Sequence, residues 1–177
     1  EACEEQRAIK DVMLFLQSHG VSTAFAVRIY KTYRDRSIAV VRDNPYRLAL
    51  DVFGIGFKTA DKIAAELGIA KDAPARADAG IVHVLGELSS EGHVAVPRPE
   101  LARAAAEVLE LDESNVQAAI SRLATQGHVV DSPLATEAGS AVYLASLHAS
   151  ETGLASALRT LVATASSHDD IDAGRAL

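Results

Sequence analysis

At 177 residues, 49% of them hydrophobic, the chain has room for one domain or two small ones with real cores, and its single cysteine excludes an internal disulfide. The net charge of −7 would argue against nucleic acid if it were uniform, but residues 1–71 carry 11 Lys/Arg against 9 Asp/Glu and residues 72–177 carry 6 against 15. No apolar run approaches the roughly 18 residues of a membrane span, so no membrane partner is expected.

The start, Glu1-Ala2-Cys3-Glu4-Glu5, has neither a basic signal region nor an initiator Met; it is expected to be the cut edge of a longer protein, with Cys3 in a reducing compartment. Ile9, Val12, Met13 and Leu16 recur at helical spacing, and Gly20 ends that helix. A second helix is predicted from Thr23 to about Tyr33. A short third one, on Ile38, Val40 and Val41, stops before Asn44-Pro45. Pro45 suits the first turn of the next helix, with Asn44 as its cap and its end near Val52. The helix from Lys58 to Leu67 closes at Gly68. Lys71-Asp72-Ala73-Pro74 reads as a linker, so residues 5–71 form a first predicted domain.

Beyond the linker the pattern changes. Ile81, Val82, Leu85 and Leu88 predict an amphipathic helix, and His93-Val94-Ala95-Val96 a short strand stopped by Pro97. Pro99-Glu100 opens a helix through Leu109, and Glu113 or Ser114 opens another through Gln126, ended by Gly127. His128-Val129-Val130 and Ala141-Val142-Tyr143-Leu144 predict two strands joined by a polar loop. This is the element order of a winged-helix domain, over residues 75–148. The third helix of such domains often enters a DNA groove. Here it offers Glu113, Ser114, Asn115, Gln117, Ser121, Arg122 and Gln126, and one Arg is poor equipment for a phosphate-rich groove. Packing or protein contact is the preferred reading. Residues 150–164 predict one more amphipathic helix, Glu151 to Ala163 on Leu154, Leu158 and Leu161, and residues 165–177 a disordered acidic tail.

The strongest functional signal lies in Phe53-Gly54-Ile55-Gly56-Phe57-Lys58-Thr59-Ala60-Asp61-Lys62-Ile63. Glycines permit a sharp turn and a close approach of another backbone. A helix starting just after the turn adds unpaired N–H groups and a positive dipole end. The combination is a small anion site, and phosphate is the expected anion. Shifted by 34 residues, Gly20-Val21-Ser22-Thr23-Ala24-Phe25-Ala26-Val27-Arg28-Ile29 falls on Gly54 to Ile63, with Gly20 on Gly54, Arg28 on Lys62 and Ile29 on Ile63. A unit of helix, tight hairpin and helix repeated in this way usually stacks on its neighbour. Ser22 replaces the second glycine, so the first copy either binds phosphate or serves geometry alone. Arg47, one helix before the second hairpin, and Lys62, one turn inside the helix after it, either reach a neighbouring phosphate or are ordinary surface charges. Between Arg28 and Lys62 eight basic residues stand against four acidic ones, a local footprint of the kind a phosphate binder has.

Nucleotide-binding motifs fail on the same residues. A P-loop needs four residues between its glycines and Lys directly after the second, whereas one residue separates Gly54 from Gly56 and Phe57 intervenes. A dinucleotide fingerprint would need a third glycine at Thr59. The six histidines lack metal-ligand spacing, and no nucleophile–His arrangement assembles, so neither a catalytic centre nor a bound metal is expected.

The two hairpins resemble the helix-hairpin-helix DNA-binding motif in tandem. That resemblance implies hairpin amides bound to backbone phosphates without sequence readout, at Gly54, Ile55 and Gly56 with Lys58 and Thr59 behind them, and at Gly20 and Ser22 in the weaker copy. From about Ile9 to Leu161 the chain resembles the N-terminal portion of RecD/TraA-family ATP-dependent DNA helicases (exodeoxyribonuclease V alpha subunit-like, long-N-terminus branch). The resemblance is carried by Phe15-Leu16-Gln17-Ser18-His19-Gly20-Val21-Ser22, Asn44-Pro45-Tyr46-Arg47-Leu48, Gly54-Ile55-Gly56-Phe57-Lys58-Thr59-Ala60-Asp61 and Glu91-Gly92-His93-Val94. It implies a mainly α protein, with a tandem helix-hairpin-helix domain followed by a small winged-helix-like α+β domain. In that family the region precedes two motor domains that use ATP and Mg to move 5′ to 3′ along single-stranded DNA in recombination and repair. For this chain the resemblance implies a non-enzymatic, monomeric fragment without a cofactor of its own, in the bacterial cytoplasm. Its expected partners are DNA, single-stranded or at a junction, and its own motor domains. The competing reading is a protein-interaction module whose hairpins are structural and whose acidic second domain docks on the motor or a repair partner.

Overall fold

Val12, Leu16, Ala26, Ile29 and Tyr30 lie three and four apart within two successive segments, and all five are buried in the computed structural model. The structure describes residues 2–133 and 139–164, with side chains from Ile9 onward. The two segments are helices α1 (Ala2–Ser18) and α2 (Thr23–Tyr33). A 3-10 turn (Arg34–Arg36) leads into α3 (Ser37–Asp43), α4 (Arg47–Asp51) and α5 (Phe57–Glu66). Val41, Leu48, Val52, Ile55 and Ile63 complete this first core. Asn44 does not cap that helix as expected: its Oδ1 accepts from the Tyr46 amide at 3.0 Å within the preceding turn, and the helix begins only at Arg47 with Tyr46 at its N-cap. The last helix of the repeat starts at Phe57, one residue earlier than expected, with Gly56 at its N-cap.

A second core starts inside the first predicted domain. Tyr46, Phe57, Ala60 and Ala64 share it with Ala77, Ile81, Val84 and Leu85 of α6 (Pro74–Ser90). Arg76 of α6 also donates to Asp61 of α5 from Nε at 2.8 Å and from Nη2 at 3.2 Å. Then come β1 (Ala95–Pro97), α7 (Arg98–Leu109), α8 (Glu113–Thr125), β2 (Val129–Pro133), β3 (Ser140–Leu144) and α9 (Ala145–Ala163). The sheet is antiparallel in the order β1-β3-β2, with Val96 opposite Val142 and Val130 opposite Tyr143. The mainly α architecture with a small α+β second part is as expected.

Further boundaries differ from the sequence reading. The first strand begins at Ala95 rather than His93, because the end of α6 claims the preceding residues: the His93 amide donates to Leu88 O at 3.0 Å and Gly92 sits at φ +103. Pro97 belongs to that strand, which is tolerated because β1 is at the sheet edge. The last helix begins at Ala145 rather than Glu151, directly after Leu144, and the Ala145 amide still donates to His128 O at 3.2 Å. The expected tail, residues 165–177, the middle of the polar loop and the Cys3 side chain lie outside the described residues.

Candidate nucleic-acid interface

The second hairpin is a tight turn pinned on both sides. Val52 and Ile55 are buried, and the Ile55 amide donates to Val52 O at 3.1 Å. Gly54 adopts φ +85, a conformation that costs an L residue roughly 1–2 kcal/mol. A Cβ on Gly54 would lie 2.6 Å from Arg28 Nη1. Gly56 differs in kind: at φ −95 and ψ 176 its backbone suits any residue, and a Cβ there would meet nothing within 4 Å. Its carbonyl accepts from the Thr59 and Ala60 amides, both at 3.1 Å. Among the described residues, the amides of Gly54, Gly56, Phe57 and Lys58 have no acceptor, so donors collect at the exposed mouth of α5.

The first hairpin keeps the turn, and among the described residues its Ser22, Thr23 and Ala24 amides lack acceptors just as their counterparts Gly56, Phe57 and Lys58 do. Gly20 sits at φ +73, and the Val21 amide donates to Leu16 O at 3.0 Å. Ser22 is an ordinary N-cap whose Oγ accepts from the Phe25 amide at 3.4 Å. Each hairpin glycine faces the second helix of the other copy. Gly54 faces Arg28 of α2, whereas a Cβ on Gly20 would lie 3.9 Å from Glu66 Cγ of α5. A cation thus stands beside the Gly54 turn and a carboxylate side chain beside the Gly20 turn.

Lys58 and Lys62 are exposed and form no ion pair among the described residues; Thr59 is half-buried. Arg47 reaches Asp51 at 3.4 Å, an exposed i,i+4 pair worth roughly 0.3–0.5 kcal/mol. Asp51 also accepts from the Tyr33 hydroxyl at 2.7 Å. Asp61, on the same helix as the lysines, is engaged by Arg76 and by the Tyr46 hydroxyl at 2.8 Å. Burial first, and then the bond to the carboxylate, pushes the Tyr46 and Tyr33 hydroxyls well above their usual range. The hydrogen bond to Asp61 holds the Arg76 guanidinium more firmly protonated than usual. Two of the acidic residues near the hairpin therefore already have internal partners, while its two lysines do not.

The third helix of the second unit offers less than the sequence suggests. Arg122 is folded onto Asp78, with Nε at 3.0 Å from Oδ2 and Nη2 at 2.6 Å from Oδ1. Gln117 and Ser121 accept from Arg98, both at 2.7 Å, and Arg98 also pairs with Asp131. Gln117 and Arg122, expected on the open face, are half-buried and engaged internally. A cleft of about 590 Å³ separates this helix from the second hairpin, with Gly56, Phe57, Leu50, His83 and Arg122 on its walls.

The structure brings Gly54, Ile55, Gly56, Lys58 and Thr59 together, with Lys62 one turn on and Arg47 on the preceding helix. Gly20 and Ser22 form their own turn beside Glu66. Sequence reading missed two features: the hydrogen bond from Arg28 to Phe53 O, at 3.0 Å, and the exposure of the Phe53 ring. The repeat held the only signal, since it lays Arg28 on Lys62 and His19 on Phe53. Phe57, which stands where a P-loop would carry its lysine, has a buried side chain. Among the described residues no three His, Cys, Asp or Glu come together as metal ligands, and no helix is long and apolar enough to cross a membrane.

Residues 5–95 match the model of the ATP-dependent RecD2 DNA helicase HHH domain. The chain is also similar to the ATP-dependent RecD2 DNA helicase of Deinococcus radiodurans, at 31% identity over 157 residues. That match takes in 84% of this chain but spans only 22% of the relative. The family match runs across both hairpins, α6 and the first residue of β1, which is over half of the sequence. On that ground the chain belongs to the family of RecD2 DNA helicase helix-hairpin-helix domains.

Proposed function

We propose that this chain is the part of a RecD-like DNA helicase that holds the DNA backbone, independently of sequence, on its second hairpin. The observation that carries this reading is Gly56. Neither its backbone conformation nor its packing calls for glycine, yet it stands at the mouth of a helix whose first amides lack acceptors. A phosphate drawn close to those amides is the ligand for which a missing Cβ matters. Gly54 makes the turn and Ile55 anchors it. Gly56 admits the phosphate, Lys58, Thr59 and Lys62 flank it, and Arg47 takes the next phosphate along. Gly20 and Ser22 give a weaker auxiliary contact. In the longer protein ATP and Mg would serve motor domains moving 5′ to 3′, while this portion, monomeric and without a cofactor, keeps the track in place for recombination or repair.

Fluorescence anisotropy of the 177-residue chain with single- and double-stranded oligonucleotides tests the reading. Binding should weaken steeply with salt. Gly56→Ala should weaken it while leaving the melting temperature unchanged. Lys58→Ala should flatten the salt dependence by about one released ion, a change of ~0.7–0.9 in log–log slope. Binding unchanged in both variants would refute it.

A docking module is the second reading. It draws on α8, whose Gln117, Ser121 and Arg122 bond internally, and on α9, where Leu154 and Leu161 stand exposed and available to the motor domains. No DNA binding even at low salt would favour it.

A further inference from the structure

We propose that Phe53 is a stacking platform for an unpaired base, so that the second hairpin selects DNA with uncovered bases over continuous duplex; this rests on the hairpin's being the phosphate site. Of the four phenylalanines, Phe57 is buried and Phe15 and Phe25 are half-buried, whereas Phe53 is 92% exposed. The exposure is built into the turn. Val52 before it and Ile55 after it are buried, and Arg28 Nη1 holds the Phe53 carbonyl at 3.0 Å, so the backbone is fixed with the ring outward. The repeat supplies an internal contrast. His19, the counterpart of Phe53, folds back with its ring centroid 4.5 Å from that of Phe15 and its Nδ1 2.7 Å from Phe15 O. The copy with Arg28 beside its turn presents its ring, and the copy with Glu66 beside its turn tucks it away.

Phe53 precedes Gly56 by three residues, at most about 11 Å of extended chain and less in a turn, so a base adjoining the phosphate at Gly56 lies within its reach. Lys58 and Lys62, exposed on the helix after the turn, supply the charge that suits a nucleic acid here. One base–aromatic stack is worth about 5- to 150-fold in affinity, ~1–3 kcal/mol, whatever the base. Opening a duplex step costs as much or more. A single phenyl therefore adds affinity only where a base already lacks a neighbour, in single strands, gaps and forks.

The test compares a single-stranded oligonucleotide with a covalently closed circular duplex, which has neither ends nor loops, by anisotropy competition, together with the fluorescence of an aminopurine placed in the single strand. Phe53→Ala should weaken single-strand binding about tenfold, leave circular-duplex binding unchanged and abolish the aminopurine response on binding, and Phe53→Trp should restore the single-strand affinity and the aminopurine response. A melting temperature equal to that of the parent chain checks the fold. If Phe53→Ala binds the single strand as tightly as the parent chain, or loses both DNAs equally, the stacking role is wrong. Retained sensitivity to Gly56→Ala in that case would leave the phosphate reading standing; absence of any DNA binding would overturn both.

Discussion

Arg28 Nη1 donates to the carbonyl oxygen of Phe53 across 3.0 Å, joining α2 of the first repeat to the hairpin of the second. The same guanidinium lies 5.7 Å from the Phe25 ring centroid and blocks the space beside Gly54. One side chain thus links the two copies, steadies the turn and places a positive charge next to its amides.

Arg28→Ala should therefore act on the hairpin more than on the fold. The bond is solvent-exposed, so the loss of global stability should stay below about 1 kcal/mol. Hydrogen exchange at the Ile55 amide should rise and DNA affinity should fall. Arg28→Lys keeps the charge but not the planar fork, and should recover affinity only in part. Unchanged Ile55 exchange in Arg28→Ala would separate the bond from the rigidity of the turn.

The two hairpin glycines should separate in stability measurements. Gly54→Ala forces a Cβ into φ +85 and against Arg28, and should cost about 1–2 kcal/mol in urea denaturation. Gly56→Ala should stay within about 0.5 kcal/mol of the parent chain, as surface changes usually do. Equal losses would mean that Gly56 serves the fold after all.

Local chemistry made much of this legible. The 34-residue repeat, the helix ends at Gly20 and Gly68 and the start of α2 at Thr23 depend on neighbours in sequence, and all appear as read. What stayed hidden depends on distant partners. Nothing local to Asp61 announces Arg76, and nothing near Arg122 announces Asp78, 44 residues away. The exposure of Phe53 was equally silent, since an apolar residue before a turn is as easily buried. The strand at His93 failed for a related reason: its β-like pattern was overridden by the hydrogen bonds that close α6.

Gly80 should prove far less tolerant than Gly56. It is buried on α6, and a Cβ there would clash with Leu109 Cδ2 of α7. Leu109 is itself fully buried and has no room to withdraw. Gly80→Ala should cost roughly 1–3 kcal/mol as overpacking, and Leu109→Ala in the same chain should relieve the clash. A double-mutant cycle in urea should give a favourable coupling between the two changes; strict additivity would show that the helices simply move apart.

Stability should also decline at high pH through two phenols. The Tyr46 and Tyr33 hydroxyls are raised by burial first and then by hydrogen bonds to Asp61 and Asp51. A group whose proton is held more tightly in the folded chain contributes fully below its unfolded pKa, about 10 for tyrosine, and loses that contribution as pH rises further. The urea midpoint should thus be flat from neutral pH to about 10 and fall beyond it. Tyr46→Phe should cost about 1 kcal/mol at neutral pH, because the buried ring loses its bond to Asp61. The Tyr46→Phe, Tyr33→Phe double variant should be less stable at neutral pH yet decline less steeply above about pH 10. A double variant that declines as steeply as the parent chain would place the alkaline loss elsewhere.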